Sequence, residues 1–272
     1  MNTVRIDSVH VRPLPARDSI LQTAEQPAVT IFAIGLIGFG VIGLATHDFG
    51  MVWQPVADWF PARTLLAYAV GALEIAVGVA LQLRATSVLA ARVMLPGLAL
   101  WMLLKAPALF VAPGIEGVWL GFGELAMLFA GGLALFARAA EIPETSALGF
   151  LSGDRGLRIA RIFFGLWVIP VGLSHFFYTQ ATINLIPAWI PGRVFFAYLT
   201  GAGHIASGLA AITGVLRRLA LWMETAMLGV FAAIVWAPRV VAEPATRVPW
   251  TAFFITWIIG AAVFALASTE RE

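Results

Sequence analysis

Apolar stretches of bilayer length constrain this chain more than any other feature. They run 28–47, 64–83, 87–111, 118–137, 158–178, 194–214, 217–237 and 249–268, each bounded by charge, proline or glycine. About 20 apolar residues in a helix cross a hydrocarbon core. Of the 272 residues 60% are hydrophobic and 12% charged, against about 25% charged in soluble domains. That leaves too little polar surface to solvate a globule, and the lipid bilayer becomes the first expected partner. Backbone groups cannot go unpaired in hydrocarbon, so the stretches are predicted to be helices. The expected fold is an all-α polytopic membrane protein with eight transmembrane helices.

Residues 1–27 mix Arg5, Arg12 and Arg17 with Asp7, Asp18 and Glu25. They read as a polar arm followed by an uncleaved membrane anchor, since no apolar core lies near the start. The longest polar interruption, 138–157, divides the chain into two four-helix units, 28–137 and 158–268. Of the seventeen basic residues, five (Arg63, Lys105, Arg193, Arg239 and Arg247) fall on the side opposite the termini. The positive-inside rule then predicts an inner cell membrane location with both termini cytoplasmic. Basic residues are dispersed, which gives nucleic-acid binding no support. There are no cysteines, which excludes disulfides, thiol relays and Cys-ligated metals.

Two loops repeat each other. Placing 56–81 over 186–211, an offset of 130, gives eleven identities in 26 positions, including Trp59/Trp189, Pro61/Pro191, Arg63/Arg193 and Tyr68/Tyr198. Gly71/Gly201 and Gly78/Gly208 continue the register, and small shifts pair His47 with His175 and Trp119 with Trp250. Self-similarity at a fixed offset is the mark of duplication. An even number of spans per unit makes the copies parallel, related by an axis along the membrane normal. Pro96 and Pro170 do not correspond, so no matching interruption of the spans is expected.

The string "GLSHFF…LIPAWIPGRVFFAYLTGAGHIASGLA" resembles the DoxX-like (DoxX/DoxD) integral membrane proteins, more closely over 160–237 than over 30–137. The resemblance implies a four-helix unit. Because a related DoxD-type subunit belongs to a thiosulfate:quinone oxidoreductase, it also implies a quinone ligand and a redox partner subunit. It carries no catalytic motif.

Ionisable groups at span depth cost about 3 kcal/mol or more to insert, so each needs a reason. Glu74 and His204 occupy equivalent places between matched glycines. Thr200, Gly201, Ser207 and Gly208 share the face of His204, and small-residue faces are where membrane helices pack closely. Both groups are therefore expected to point inward. His204, Glu224 and His175 are predicted to line the principal cavity, with Glu74 in its counterpart and Tyr198 and Trp189 as further ligand-binding candidates. Glu124 is expected to neutralise Lys105 across an outer turn, and Arg92 to reach water at the inner face. The histidines and carboxylates lack metal-ligand spacing, and no metal is assigned.

Two functions fit these residues. The preferred one is a quinone-binding or redox-complex-associated membrane subunit, in which an imidazole or carboxyl near a quinone oxygen exchanges protons. Electrons would come through a cofactor-bearing partner, for the chain has no evident electron carrier. The alternative is a transporter of a proton or small solute, or a structural subunit. A second copy of the chain is a further partner that the reading admits.

Overall fold

A computed structural model describes residues 17–143 and 145–270, with side chains from residue 27 onward. Among the described residues there are helices and turns and no strands. Eight helices are long and apolar enough to span a membrane: α1 Pro27–Thr46, α2 Arg63–Gln82, α3 Ser87–Val111, α4 Glu116–Ala139, α5 Gly153–Phe177, α6 Arg193–Thr213, α7 Arg217–Ala242 and α8 Arg247–Ser268. The chain is a multi-pass membrane protein. Eight crossings put the two ends on one face, the terminal face, and the Trp59 and Trp189 loops on the other, the loop face.

Two expected boundaries move. The arm expected over 1–27 lies outside the described residues as far as residue 16; from Arg17 the backbone is already helical and runs unbroken through Pro27 into α1. The linker is also shorter than 138–157. A 3₁₀ turn at Gly149–Leu151 leads directly into α5 at Gly153, with Asp154 in its first turn, where a negative charge suits the helix dipole.

Packing partners recur along the chain. α1 lies against α2 and α8, and α5 against α6 and α4. α3 packs on α4 as α7 packs on α8, and α4 meets α8 between the two halves. α4 and α8 are accordingly the most buried spans. The buried residues of α4 are mostly Ala, Gly and Leu and those of α8 mostly Ala and Ile, and Gly131 meets Ala262 so closely that an added methyl would push the two helices apart. The outer spans keep their large apolar side chains for lipid.

The repeated W-x-P-x-R loops end alike. The residue before each arginine takes a left-handed conformation, Ala62 at φ 52° and Gly192 at φ 68°. Glycine adopts it freely, while Ala62 holds it at a steric cost. The arginine then opens the next helix, and Trp59 and Trp189 stand 81% and 74% exposed where an interfacial belt is expected.

The glycine crossings correct the pairing of His47 with His175. The carbonyl of Gly71 crowds Gly40, and that of Gly201 crowds Gly172. Gly78 approaches Ala33 as Gly208 approaches Gly165. These contacts align α1 with α5 at an offset of 132, which sets His175 against Gly43. His47 lies beyond the end of α1 in a left-handed turn (φ 58°), whereas His175 is inside α5.

The expectation of uninterrupted spans is also corrected. α3 breaks at Ala106, before Pro107. α7 passes through a π-helical segment, Phe231–Trp236, before Pro238. Proline supplies no N–H to the preceding turn, and both interruptions sit beside one. The segment absorbs one residue. α3 and α7 begin 130 apart, but Pro107 and Pro238, Pro113 and Pro244, and Trp119 and Trp250 are all 131 apart. Trp119 and Trp250 each donate their indole N–H to the carbonyl six residues back, at 2.9 Å.

Two clamps close the bundle. On the loop face Asp48 binds Arg63 of α2 and, at 2.6 Å, Arg247 of α8. On the terminal face Glu270 binds Arg161 of α5 at 2.5 Å and Arg217 of α7 at 2.6 Å. Burial pushes the Asp48 carboxyl up, but the Arg247 hydrogen bond, the Phe49 N–H and the charges of Arg63 and Arg247 outweigh it and hold Asp48 below its ordinary value of 3.8. A depressed carboxyl stabilises the fold above its unfolded value and loses that contribution as pH falls through the folded one. Thermal melts in detergent should therefore show the parent losing an advantage over Asp48→Asn as pH drops below about 4. Parallel pH profiles for the two proteins would show that the clamp does not act.

Candidate functional site

On α6, Thr200, His204 and Ser207 fall at i, i+4 and i+7, one face of the helix. Close approach of α5 turns that face inward. Gly172 lies so near the Gly201 carbonyl, His204 and Ile205 that a methyl has no room there. The first half repeats this contact, with Gly40 against the Gly71 carbonyl, Glu74 and Ile75. Glu74 and His204 thus hold the same place relative to the same crossing.

In the second half the structure brings together three of the predicted residues. His204 and Glu224 are buried, at 1% and 2% exposure, with Nδ1 of His204 2.6 Å from Oε1 of Glu224. One proton lies between an imidazole nitrogen and a carboxyl oxygen, so one geometry serves two protonation states. The His175 ring lies 5.2 Å from that of His204 at 67°. Phe231, the first residue of the π segment, covers both rings, stacked on His175 at 24° and edge-on to His204.

Hydrogen bonds assign the His175 tautomer. The Thr200 hydroxyl has carbonyl acceptors at Phe196 and Ala197, at 2.8 and 3.2 Å. Donating there, it accepts from His175 Nδ1 at 2.9 Å; the Ala197 carbonyl also lies 3.3 Å from that nitrogen. His175 therefore carries its proton on Nδ1 and offers the lone pair of Nε2. Deeper in the site, Glu224 Oε2 and Ser207 Oγ are buried with no hydrogen-bond partner. Unpartnered buried polar atoms are rare enough to need explanation.

The first half fills the equivalent region with its own chain. After α1 the segment Asp48–Gln54 turns back into the bundle, burying Phe49 and Gln54. Gln54 accepts from Gly50 N–H at 2.6 Å and donates to Glu74 at 2.7 Å. Trp53 donates to Glu124 at 2.6 Å. Around the column the counterparts are apolar: Val70 for Thr200, Val77 for Ser207, Met94 for Glu224 and Gly43 for His175.

Several expectations are corrected. Tyr198 is half-exposed and stacks on Phe176, with ring centroids 5.5 Å apart; six residues from His204, it faces away from the column. Trp189 stays in the loop. The rings of His175, His204 and Phe231 pack on one another, and a recess of about 610 Å³ opens elsewhere, at the terminal face, lined by residues including Arg217, Trp222 and Glu270. The expectation for Lys105 is met in part: its charge acts on Glu124, while its hydrogen bond goes to the Val52 carbonyl at 2.6 Å and Trp53 supplies the hydrogen bond to Glu124. Arg92 is exposed at the terminal face, as expected, and also donates to the carbonyls of Ala140 and Glu141, capping the end of α4. His47 pairs with Tyr68 at 2.5 Å, away from the column.

Three contributors escaped sequence reasoning. Phe231 left one trace, the change of offset from 130 to 131. Trp53 and Gln54 left none, because a loop that folds back has no periodicity. Comparison with family models, with curated proteins and with solved structures found no match.

The unpartnered hydroxyl makes a test. Ser207→Val installs the residue found at the corresponding place, Val77, and should raise stability by about 1 kcal/mol. Glu224→Leu strands His204 and should cost about 3 kcal/mol, while adding His204→Leu recovers much of that loss. Chemical denaturation in detergent reads all three. A loss of stability in Ser207→Val would mean that the hydroxyl is bonded after all.

Proposed function

We propose that this chain is a DoxX-like inner-membrane subunit, a duplicated four-helix unit whose second copy exchanges protons with a lipid-soluble quinone on behalf of a redox partner. The observation that carries the reading is the buried His204–Glu224 pair, with the Nε2 lone pair of His175 beside it. Intramembrane ionisable groups face functional paths far more often than lipid. The matched crossings of Gly40 with Gly71 and Gly172 with Gly201 support the duplication. On the same crossing the first copy has Val77 and Met94 where the second has Ser207 and Glu224, so packing at those two places does not call for polar side chains. The arginine distribution supports a cytoplasmic location for both termini.

His175 is half-buried and is the member nearest the loop face. A hydroquinone approaching from the lipid side, past Phe176, would give up two protons and two electrons: one hydroxyl proton would pass to Nε2 of His175, the other to the His204–Glu224 pair, and both electrons would leave to the partner's cofactor. Phe231 and Phe176 supply apolar walls.

One observation favours transport as a second reading. α3 and α7 are interrupted at corresponding places beside Pro107 and Pro238, as discontinuous helices are in many duplicated transporters. The two readings separate experimentally. Protein purified in mild detergent should release quinone on solvent extraction, and His175→Leu and His204→Leu, if folded, should release far less. Absence of quinone, together with a proton flux in proteoliposomes that His204→Leu abolishes, would replace the first reading by the second.

Orientation has its own test, since the chain has no cysteine of its own. Cysteines placed at Asp58 and Ala188 should react with an impermeant thiol reagent from outside the cell, and one at Ser152 should not. The opposite pattern would invert the topology.

A further inference from the structure

The two repeated loops end in arginines that hold the same place and keep different company. In the first half Arg63 is fully engaged. It binds Asp48, lies 3.6 Å from Asp58 and donates to the Val56 carbonyl at 3.4 Å. Its guanidinium also stands over the Phe49 ring, 5.3 Å from the centroid. One arginine thus holds a carboxylate and covers an aromatic ring together, a pairing that suits its planar, delocalised charge.

The second half keeps the arginine and removes its partners. Asp48 and Asp58 have Gln180 and Ala188 as counterparts, at offsets of 132 and 130. Arg247, the other arginine on Asp48, stands 131 residues from Glu116, so the second half lacks the whole clamp. Among the described residues the Arg193 side chain makes no hydrogen bond, ion pair or ring contact. It is half-buried, and a guanidinium that gives up hydration without gaining an acceptor is destabilising.

Register directs Arg193 toward the acid–base column. Arg193, Ala197, Thr200 and His204 fall at i, i+4, i+7 and i+11, one face of α6. The Ala197 carbonyl and the Thr200 hydroxyl are the groups that meet His175 Nδ1. Arg193 lies four residues beyond Ala197 toward the loop face, a rise of about 6 Å. The first half shows how near the two places are. A side chain added at Gly43, the counterpart of His175, would start 3.6 Å from the Asp48 carbonyl. The residue that answers Arg63 therefore touches the place of His175, and a group held by Arg193 in the same way lies beside the His175 ring.

We propose that Arg193 is a ligand-binding residue of the His175 site, where it selects a quinone that carries a negative charge on its ring, such as an ionised ring hydroxyl, over a neutral one. The inference rests on the quinone reading and narrows its substrate class. One ring oxygen meets Nε2 of His175 and a second, charged oxygen meets Arg193, a separation of a single helical turn. The guanidinium then gains the charge-assisted hydrogen bond that Asp48 gives Arg63. A neutral quinone would leave it unpaired.

Isothermal titration calorimetry of the full-length protein in detergent tests this with two probes: lawsone, a hydroxynaphthoquinone ionised at neutral pH, and its methyl ether, which is neutral. The parent should bind lawsone about tenfold more tightly than the ether, the worth of one charge-assisted hydrogen bond. Arg193→Gln, which breaks no hydrogen bond of the folded chain, should bind the two alike. Arg84→Gln, at the terminal face, should keep the parent's preference. Equal binding of the two rings by the parent, or a preference that survives Arg193→Gln, would overturn the role of Arg193 and leave the quinone reading standing. Failure of both rings to bind would remove the quinone reading and this inference with it.

Discussion

Everything chemical in this molecule depends on how closely two pairs of helices approach. α1 and α2 meet at Gly40 and Gly71, and α5 and α6 at Gly172 and Gly201, with the backbone carbonyl of one helix where a methyl group of the other would be. Lipid gives no hydrophobic drive for helix association, so such contacts rely on van der Waals packing at short range. The approach also fixes rotation. A residue three positions after Gly71 or Gly201 has no choice but to point into the bundle, and those residues are Glu74 and His204. Any larger residue at these glycines would part the helices and loosen the column together.

The two halves solve the resulting problem differently. An inward carboxyl or imidazole needs a partner, because leaving a buried polar group unpaired is expensive. The first half satisfies Glu74 with Gln54, brought in by a loop that folds back and seals the region with Phe49. The second half satisfies His204 with Glu224 from α7 and leaves its own connection, the helix Thr179–Leu185, outside. Arg239 holds that helix by its last carbonyls. Only the second arrangement places three titratable groups in a row.

Much of this was legible in the sequence, for identifiable reasons. Bilayer-length apolar runs set all eight spans to within a few residues, since lipid tolerates little else. The glycines flanking Glu74 and His204 fixed which way both point, and the three-residue cluster His204, Glu224 and His175 followed from depth and face. Where reading failed, the cause was an insertion or a loop. His47 was matched with His175 because both histidines close an apolar run; the glycine contacts at an offset of 132 show that they are not equivalent. The π segment adds one residue that no hydropathy pattern registers. The inward turn of Phe49 and Gln54 depends on space that α1, α2 and α4 leave, which is a property of the assembled bundle. Tyr198 was chosen for being rare and repeated, yet its angle on α6 already turned it away from His204.

The energetic argument separates a packing pin from a working site. A buried ion pair replaced by well-packed apolar residues is often as stable or more so. This chain carries both versions on nearly one scaffold: Met94 and Val77 occupy in the first half the places that Glu224 and Ser207 occupy in the second. Burial is similar in the two, for Met94 is 4% exposed and Val77 8%, against 2% and 3%. The apolar surround is thus a demonstrated solution to packing these helices, and the polar one adds unpartnered oxygens at Glu224 and Ser207. Stability alone does not favour that exchange. What the polar surround adds is a row of titratable side chains, the half-buried His175 beside the enclosed His204 and Glu224, under the aromatic cover of Phe231. At that cover α7 passes through the π segment Phe231–Trp236, a local change of helical hydrogen-bond register of the kind often found at functional sites.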